Sequence, residues 1–434
     1  MKRISWVAVC LFCLSATQTW AQTARDEIKK NTRLSASNYM AYPGPQTQLT
    51  PAPKGMKPFY ISHYGRHGSR YMNNKREYNY PYETLLRAGS AGKLTPFGQE
   101  VLRRVRLILD EAEMRRGELT PLGAQQHREI ARRMFERFPE VFEGDAHVDA
   151  KSTVVIRCIL SMSNALQELS GLNPRLRISC DASTHDMYYM NQTDTWLWNN
   201  KMPGDSKTVY EKYCAKRDLS ARVVSSLIND TAYIHHEMNA ERLNYYLFKM
   251  AGNIQNMEVR KKLTLYDLFN DDEIYTNWQK ENAWWYMTFS FCPYNGSVQP
   301  YSQRNLLRQL ILEADSCIAL EKPGVALRFG HETMVLPLAC LLGINGYDLA
   351  TTDLEQIERK GWRNYRIFPM GANIQLIFYR RNPLDEDVVF KILLNEDEAT
   401  LPIKTDMAPY YHWRDFKEFY LQRLSEYQEK MGDN

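Results

Sequence analysis

The stretch Phe59-Tyr60-Ile61-Ser62-His63-Tyr64-Gly65-Arg66-His67-Gly68-Ser69-Arg70 begins as an apolar-rich run and ends on glycines that flank Arg66-His67. A short run of this kind reads as a buried strand, here over 58–64. Glycine lets the backbone turn sharply or come close to a ligand. The reading is a histidine at a strand end, between the guanidinium groups of Arg66 and Arg70. Planar, permanently charged forks beside one imidazole suit a tetrahedral oxyanion, above all phosphate. His63 lies on the strand itself and reads as structural.

Outward from this stretch, Leu94-Thr95-Pro96-Phe97-Gly98 is echoed by Leu119-Thr120-Pro121-Leu122-Gly123. Each is a helix start, with threonine as N-cap and proline at the first helical position. The helices are expected over 96–116 and 121–137. In the first, Val101, Leu102, Val105, Ile108 and Leu109 recur at helical spacing. Residues 22–56 read as an irregular arm lying over the body, and 71–93 as a polar and aromatic loop. Ser152 to Arg157 is a β-rich run, followed by a helical pattern from Ser161 to Leu172, which puts Arg157 at a strand-to-helix transition. A helix over 303–321 leads into Val325-Ala326-Leu327-Arg328-Phe329-Gly330-His331-Glu332-Thr333. This is again a strand, a glycine and a histidine, then an apolar helix at 334–342. Strands near 373–380 and 387–394 read as an antiparallel pair, and a terminal helix follows at 414–430. The pattern predicts an α/β protein, with a mixed, mostly parallel sheet flanked by helices. From 175 to 300 strand-like alternation is rare, which predicts a mainly helical inserted domain between core segments 22–174 and 301–434. Trp196, Trp198, Trp278, Trp284 and Trp285 fall in the insertion and read as packing residues.

Arg66-His67-Gly68-Ser69-Arg70 resembles the Arg-His-Gly-x-Arg-x-Pro signature of the histidine phosphatases, in the branch that holds acid phosphatases and phytases. Met72 stands where that pattern has proline. Leu119 to Gly123 resembles the family's Leu-Thr-x-x-Gly helix start. Arg157-Cys158-Ile159-Leu160-Ser161 resembles, more loosely, its second block. His331-Glu332 stands where the family places His-Asp or His-Ala-Glu. Glutamate rather than aspartate is similar to the multiple inositol polyphosphate phosphatases, which remove phosphates from phytate. The resemblance implies His67 as a nucleophile that forms a phosphohistidine. The other ring nitrogen of His67 is expected on a backbone carbonyl that fixes the tautomer. Glu332 is implied as general acid and base, with Arg66, Arg70, Arg157 and His331 on the phosphoryl oxygens. No cofactor and no metal are expected. The implied partner is a small-molecule phosphomonoester, an inositol polyphosphate such as phytate. A broad-specificity histidine acid phosphatase, a sugar-phosphate phosphatase and an inactive phosphate-ester-binding protein are the alternatives. Further cations for a polyanion could come from Arg76, Arg87, Lys93, Lys201, Lys207 or Lys212, with none singled out.

Lys2-Arg3, the largely apolar Ile4 to Ala16 and the small residue Ala21 make the pattern of a secretory signal peptide over 1–21. The apolar run is too short to span a bilayer, and no later stretch approaches that length. The chain is expected to be exported, to a periplasm or outside the cell, with no membrane span. The formal net charge of +4 falls by two without Lys2 and Arg3, which argues against nucleic-acid binding. Cys10 and Cys13 leave with the leader. Cys158, Cys180, Cys214, Cys292, Cys317 and Cys340 form no Cys-x-x-Cys pair, so a zinc ribbon or thioredoxin-like site is not expected. Some could pair in an oxidising compartment. His235-His236 lacks further ligands at metal-binding spacing. Asn191, Asn229 and Asn295 begin Asn-x-Ser/Thr triplets.

Overall fold

The computed structural model of the protein describes residues 23–431, so the leader read at 1–21 lies outside the described residues. One sheet organises the chain. Its strands are β1 (Lys57–Arg66), β2 (His147–Ser152), β3 (Arg177–Asp181), β4 (Gly324–Gly330), β5 (Asn373–Arg380), β6 (Val389–Leu394), β7 (Asp397–Ala399) and β8 (Tyr411–His412). They lie in the order β3-β2-β4-β1-β5-β6-β7, with β8 paired to β6. The pairs β3/β2, β2/β4 and β4/β1 are parallel, whereas β5 is antiparallel to β1 and to β6. The sheet is therefore mixed, with a parallel half that carries the strand ends of interest.

Helices cover both faces. On one side Tyr60, Tyr64, Leu376 and Phe378 pack with helices Arg304–Ile318, Glu332–Leu341 and Trp413–Met431. On the other, Ile61, Val325, Leu327 and Ile377 pack with helices Pro121–Arg137 and Ile156–Leu172. Two-sided burial is why β1, β4 and β5 read as near-continuous apolar runs. Each fully buried large apolar side chain contributes about 1.5–3 kcal/mol, so the strand ending in Arg66 is fixed from both faces. A further apolar cluster joins helices Lys75–Ser90, Pro96–Ala112, Ser220–Leu227 and Ala240–Asn253.

Several local expectations need correction. The arm at 22–56 contains helix Ala24–Lys30 and a 3-10 segment at Thr32–Tyr39. The expected loop at 71–93 is largely helix Lys75–Ser90, started by an Asn74/Glu77 capping box with Pro81 inside it. The helix expected to reach 116 ends at Ala112. The strand expected at Ser152–Arg157 is displaced upstream to β2, whose polar His147, Asp149 and Lys151 alternate with buried Val148 and Ala150. Val154 and Ile156, the apolar residues behind the strand reading, are exposed. Arg157 therefore lies in the first turn of helix Ile156–Leu172, and Ser161 is inside that helix rather than capping it. The mainly helical stretch drawn at 175–300 contributes β3, an edge strand. Trp278 and Trp285 are buried, but Trp196 and Trp198 are exposed. Among the described residues, Cys158, Cys180, Cys214, Cys292, Cys317 and Cys340 are unpaired. Asn295 is buried, its amide donating to the carbonyls of Met287 and Ser290. His235 and His236 are exposed.

Candidate active site

Strand register brings the separate sequence blocks together. Arg66 of β1 is the neighbour of Gly330 of β4, and Ser152 of β2 is the neighbour of Phe329. The residues that follow leave the sheet side by side at its carboxyl edge, the usual ligand edge of an open α/β sheet. Backbone bonds fasten them: His67 N donates to Gly330 O at 2.9 Å, and Thr153 N donates to Phe329 O at 3.0 Å.

The loop after β1 is held by the two helices behind it. Thr120 N donates to Ser69 O at 2.8 Å, and Ser69 N donates to Gln126 Oε1 at 2.8 Å. Gly68 N donates to Ser161 Oγ, which itself donates to Arg157 O at 2.8 Å. The loop and the helix N-terminus touch backbone to backbone. A Cβ at Gly68 would sit 2.4 Å from Gly123 O, and one at Gly123 would sit 2.2 Å from Ser69 O. Glycine is required at both by space. Met72 N donates to the Tyr78 hydroxyl at 2.9 Å, a bond that the proline of the family pattern could not make.

Every residue named for the site converges here except that Arg157 approaches from a helix turn rather than a strand end. His67 Nδ1 faces Gly68 O at 2.9 Å. With the proton on Nδ1, the lone pair is left on Nε2. Glu332, the first residue of its helix, places Oε2 at 3.1 Å from Arg66 Nε and 3.5 Å from His67 Nε2. Its Oε1 is 3.7 Å from Arg70 Nη2. Arg66 Nη1 and Nη2 donate to the carbonyls of Phe368 and Asn38. His331 sets Nε2 at 3.2 Å from the Thr153 hydroxyl, its ring edge-on to His67 at 5.8 Å. Arg70 Nε and Arg157 Nε are buried with no hydrogen-bond partner among the described residues, and the lone pair of His67 Nε2 faces the same space. Guanidinium donors left open in this way fit an anion.

Burial and charge set the protonation states. Burial pushes His67 well below the usual imidazole range; Arg157 and Arg66 reinforce this against Glu332. Burial pushes His331 down to about 4 and Arg66 down to about 10. Burial, then the Arg70 charge, lowers Arg157. Glu332 goes the other way from a simple buried acid. Burial would raise it, but the charge of Arg66, then that of Arg70, holds it well below the carboxylate range. Unit charges about 4 Å apart interact by about 4 kcal/mol at an effective dielectric of about 20, which accounts for the direction.

A cavity of ≈ 870 Å³ opens from Arg70 and Glu332. Its walls come from Asn38, Tyr39 and Glu77 on the core side, and from helices Ser206–Ala215, Ala240–Asn253 and Asp271–Phe289 opposite. None of Arg76, Arg87, Lys93, Lys201, Lys207 and Lys212 lines it; the added cations are Arg242, Lys249 and Lys280. Sequence reading also missed Tyr39, whose hydroxyl donates to Glu77 and whose ring lies 5.4 Å from the Arg70 guanidinium. It missed Asn256 too, which joins the Ser69 hydroxyl to Tyr39 O. No local motif marks these residues. Ligand atoms of His67, His331 and Glu332 lie within 4.8 Å of one another, the one such grouping among the described residues. Three guanidinium groups around it favour an oxyanion over a divalent cation.

Residues 65–395 match the model of the histidine phosphatase superfamily (branch 2). The chain belongs to this superfamily. The described residues include no helix long and apolar enough to cross a membrane. Among solved structures, multiple inositol polyphosphate phosphatase of Bifidobacterium longum, in complex with inositol hexasulfate, superposes with a TM-score of 0.74 at 16% identity, covering 89% of this chain and 97% of its own. The phytase from D. castellii gives 0.67 at 16% identity, covering 97% and 92%. A Hafnia alvei phytase with tartrate gives 0.51 at 12% identity, covering 86% and 98%. No curated protein matches the chain. The superfamily match makes it a phosphatase, and the superpositions establish the shared fold.

Proposed function

We propose that the protein is an exported phosphomonoesterase that releases phosphate from inositol polyphosphates such as phytate, through a phosphohistidine at His67. The observation that carries this is the placement of the His67 ring. Its Nδ1 is engaged by Gly68 O, and its Nε2 faces Glu332 among Arg66, Arg70 and Arg157. Nε2 attacks phosphorus, the Nε2–P bond forms and the bond to the ester oxygen breaks. Glu332 gives its proton to that oxygen as it leaves. Water then attacks phosphorus, Glu332 takes the water proton, the P–N bond breaks and inorganic phosphate is released. Arg66, Arg70, Arg157 and His331 hold the phosphoryl oxygens through both steps.

In the free protein Arg66 and Arg70 favour the ionised form of Glu332. The proton for the first step comes with the substrate, whose negative charge competes for the arginines that hold Glu332 down and so raises its pKa. The superposition on an inositol polyphosphate phosphatase and phytases supports the substrate class. The leader pattern at 1–21 supports export. The division into core segments 22–174 and 301–434 with a helical insertion over 175–300 is supported by the many helices there, β3 excepted.

The test is phosphate release from phytate by purified protein and by His67→Ala, with chelator present throughout. Activity in the parent and silence in the variant are expected. A variant that keeps its activity would remove His67 as nucleophile. Turnover of a simple monoester without turnover of phytate would leave the mechanism and remove the substrate class.

A further inference from the structure

The part of the cavity that would face the non-reacting portion of a substrate is not a polycation. Beyond Arg70 and Glu332, its cations are Arg242, Lys249 and Lys280. Its carboxylates are Glu77, Glu211, Glu241 and Glu281. Lys249, the cation nearest the catalytic end, is already committed. It lies 3.3 Å from Glu77, donates to the Tyr245 hydroxyl at 3.1 Å and sits 5.6 Å from the Tyr39 ring. A pocket for a dense polyanion needs a surplus of positive charge, and here acidic and basic side chains nearly cancel.

The uncharged lining points the same way. Asn277 Nδ2 donates to Glu273 O, which fixes Asn277 Oδ1 as an acceptor for Asn244 Nδ2 at 3.0 Å. Asn244 Oδ1 is thereby left as an acceptor, buried and without a partner among the described residues. A hydroxyl can donate to it; an ionised phosphate has no proton to give. Asn74 and Asn239 add further amides to the same lining.

We infer that this cleft selects polyol phosphomonoesters carrying few phosphates, either sparsely phosphorylated inositols or sugar phosphates, over fully phosphorylated inositol. The inference rests on the phosphomonoesterase reading and ranks substrates within it. Additional phosphates meet Glu211 and Glu241 beside Arg242 and Lys280, with Lys249 already held by Glu77, and the hydroxyls that they replace are what the asparagines recognise.

The experiment measures kcat/KM for inositol hexakisphosphate, inositol monophosphate and glucose 6-phosphate at one pH and ionic strength. It uses the parent and the Glu211→Lys/Glu241→Lys double variant, both sites being solvent-exposed. In the parent, the monophosphates are expected to exceed the hexakisphosphate. Charge reversal should raise the hexakis-to-mono ratio about ten-fold, with the gain fading as salt is added. The two monophosphates separate the inositol source from the sugar source. A parent that prefers the hexakisphosphate, or a ratio that the double variant leaves unmoved, overturns the inference. Failure to release phosphate from any of the esters would instead overturn the phosphomonoesterase reading beneath it.

Discussion

Replacing Gly123 by alanine should damage catalysis without touching a catalytic side chain. The new Cβ would meet Ser69 O at 2.2 Å, Leu119 Cδ1 at 2.6 Å and Ser69 N at 2.8 Å. Leu119 can rotate away; the Ser69 backbone cannot. Ordinary contact for a methyl group is about 3.5 Å, so the loop and helix Pro121–Arg137 must separate by roughly 1 Å. Ser69 lies between His67 and Arg70, so the shift moves both relative to Glu332. A misplacement of about 1 Å can lower turnover about 10²-fold, and overpacking costs about 1–3 kcal/mol of stability. The echo phrase supplies the control. A Cβ at Gly98 would lie 2.1 Å from Leu227 O, an equally rigid clash, but within the helical cluster away from His67. Both variants should melt a few degrees below the parent. Only Gly123→Ala should lose kcat, read as phosphate release under saturating substrate. Equal loss of kcat in both variants, or full activity in Gly123→Ala, would refute the claim that this backbone contact sets the catalytic geometry.

Glu332→Gln should lower kcat about 10²–10⁴-fold for an alkyl phosphate and much less for p-nitrophenyl phosphate, whose leaving group needs no proton. An equal loss for both esters would take the acid role from Glu332. Arg157→Met should reduce kcat/KM about 10²–10³-fold while leaving the melting temperature unchanged or higher, since among the described residues Arg157 makes no ion pair and it is repelled by Arg70. A drop in melting temperature would make Arg157 a structural residue. His127 is buried, with its folded pKa pushed down to about 4 by burial. Its unfolded value lies near 6.5, so the unfolded chain binds the extra proton as pH falls. The stability tied to keeping it neutral is complete above about pH 6.5 and is lost towards about pH 4, up to about 3 kcal/mol for this group. Denaturant titrations at about pH 7 and about pH 4 should show a smaller loss for His127→Gln than for the parent; parallel losses would show that another group controls the acid limb.

The sequence by itself determined the parts that are local. The β1 run with its glycine-flanked Arg66-His67, the threonine–proline helix starts at 95 and 120, and the β4 run ending at Gly330-His331 each state their conformation within a few residues. Burial on both faces writes itself as a continuous apolar run, and a cap needs only the residue beside it. Where a segment is stabilised by what lies against it, the local signal failed. β2 is half polar because one of its faces is less covered. Helix Lys75–Ser90 forms in spite of Pro81 because Tyr78 and Leu85 pack into the helical cluster. Arg157 was found by its neighbourhood in the chain but placed on the wrong element, because exposed Val154 and Ile156 imitate a strand. Tertiary structure alone decided that Gly68 and Gly123 share one contact and that Tyr39 and Asn256 reach the loop from distant segments. It also decided that the lysines and glutamates of the cleft come from helices whose sequence carries no motif. Charge on a helix face looks the same in sequence whether it meets solvent or a substrate, since only packing decides which side of the helix closes the cavity.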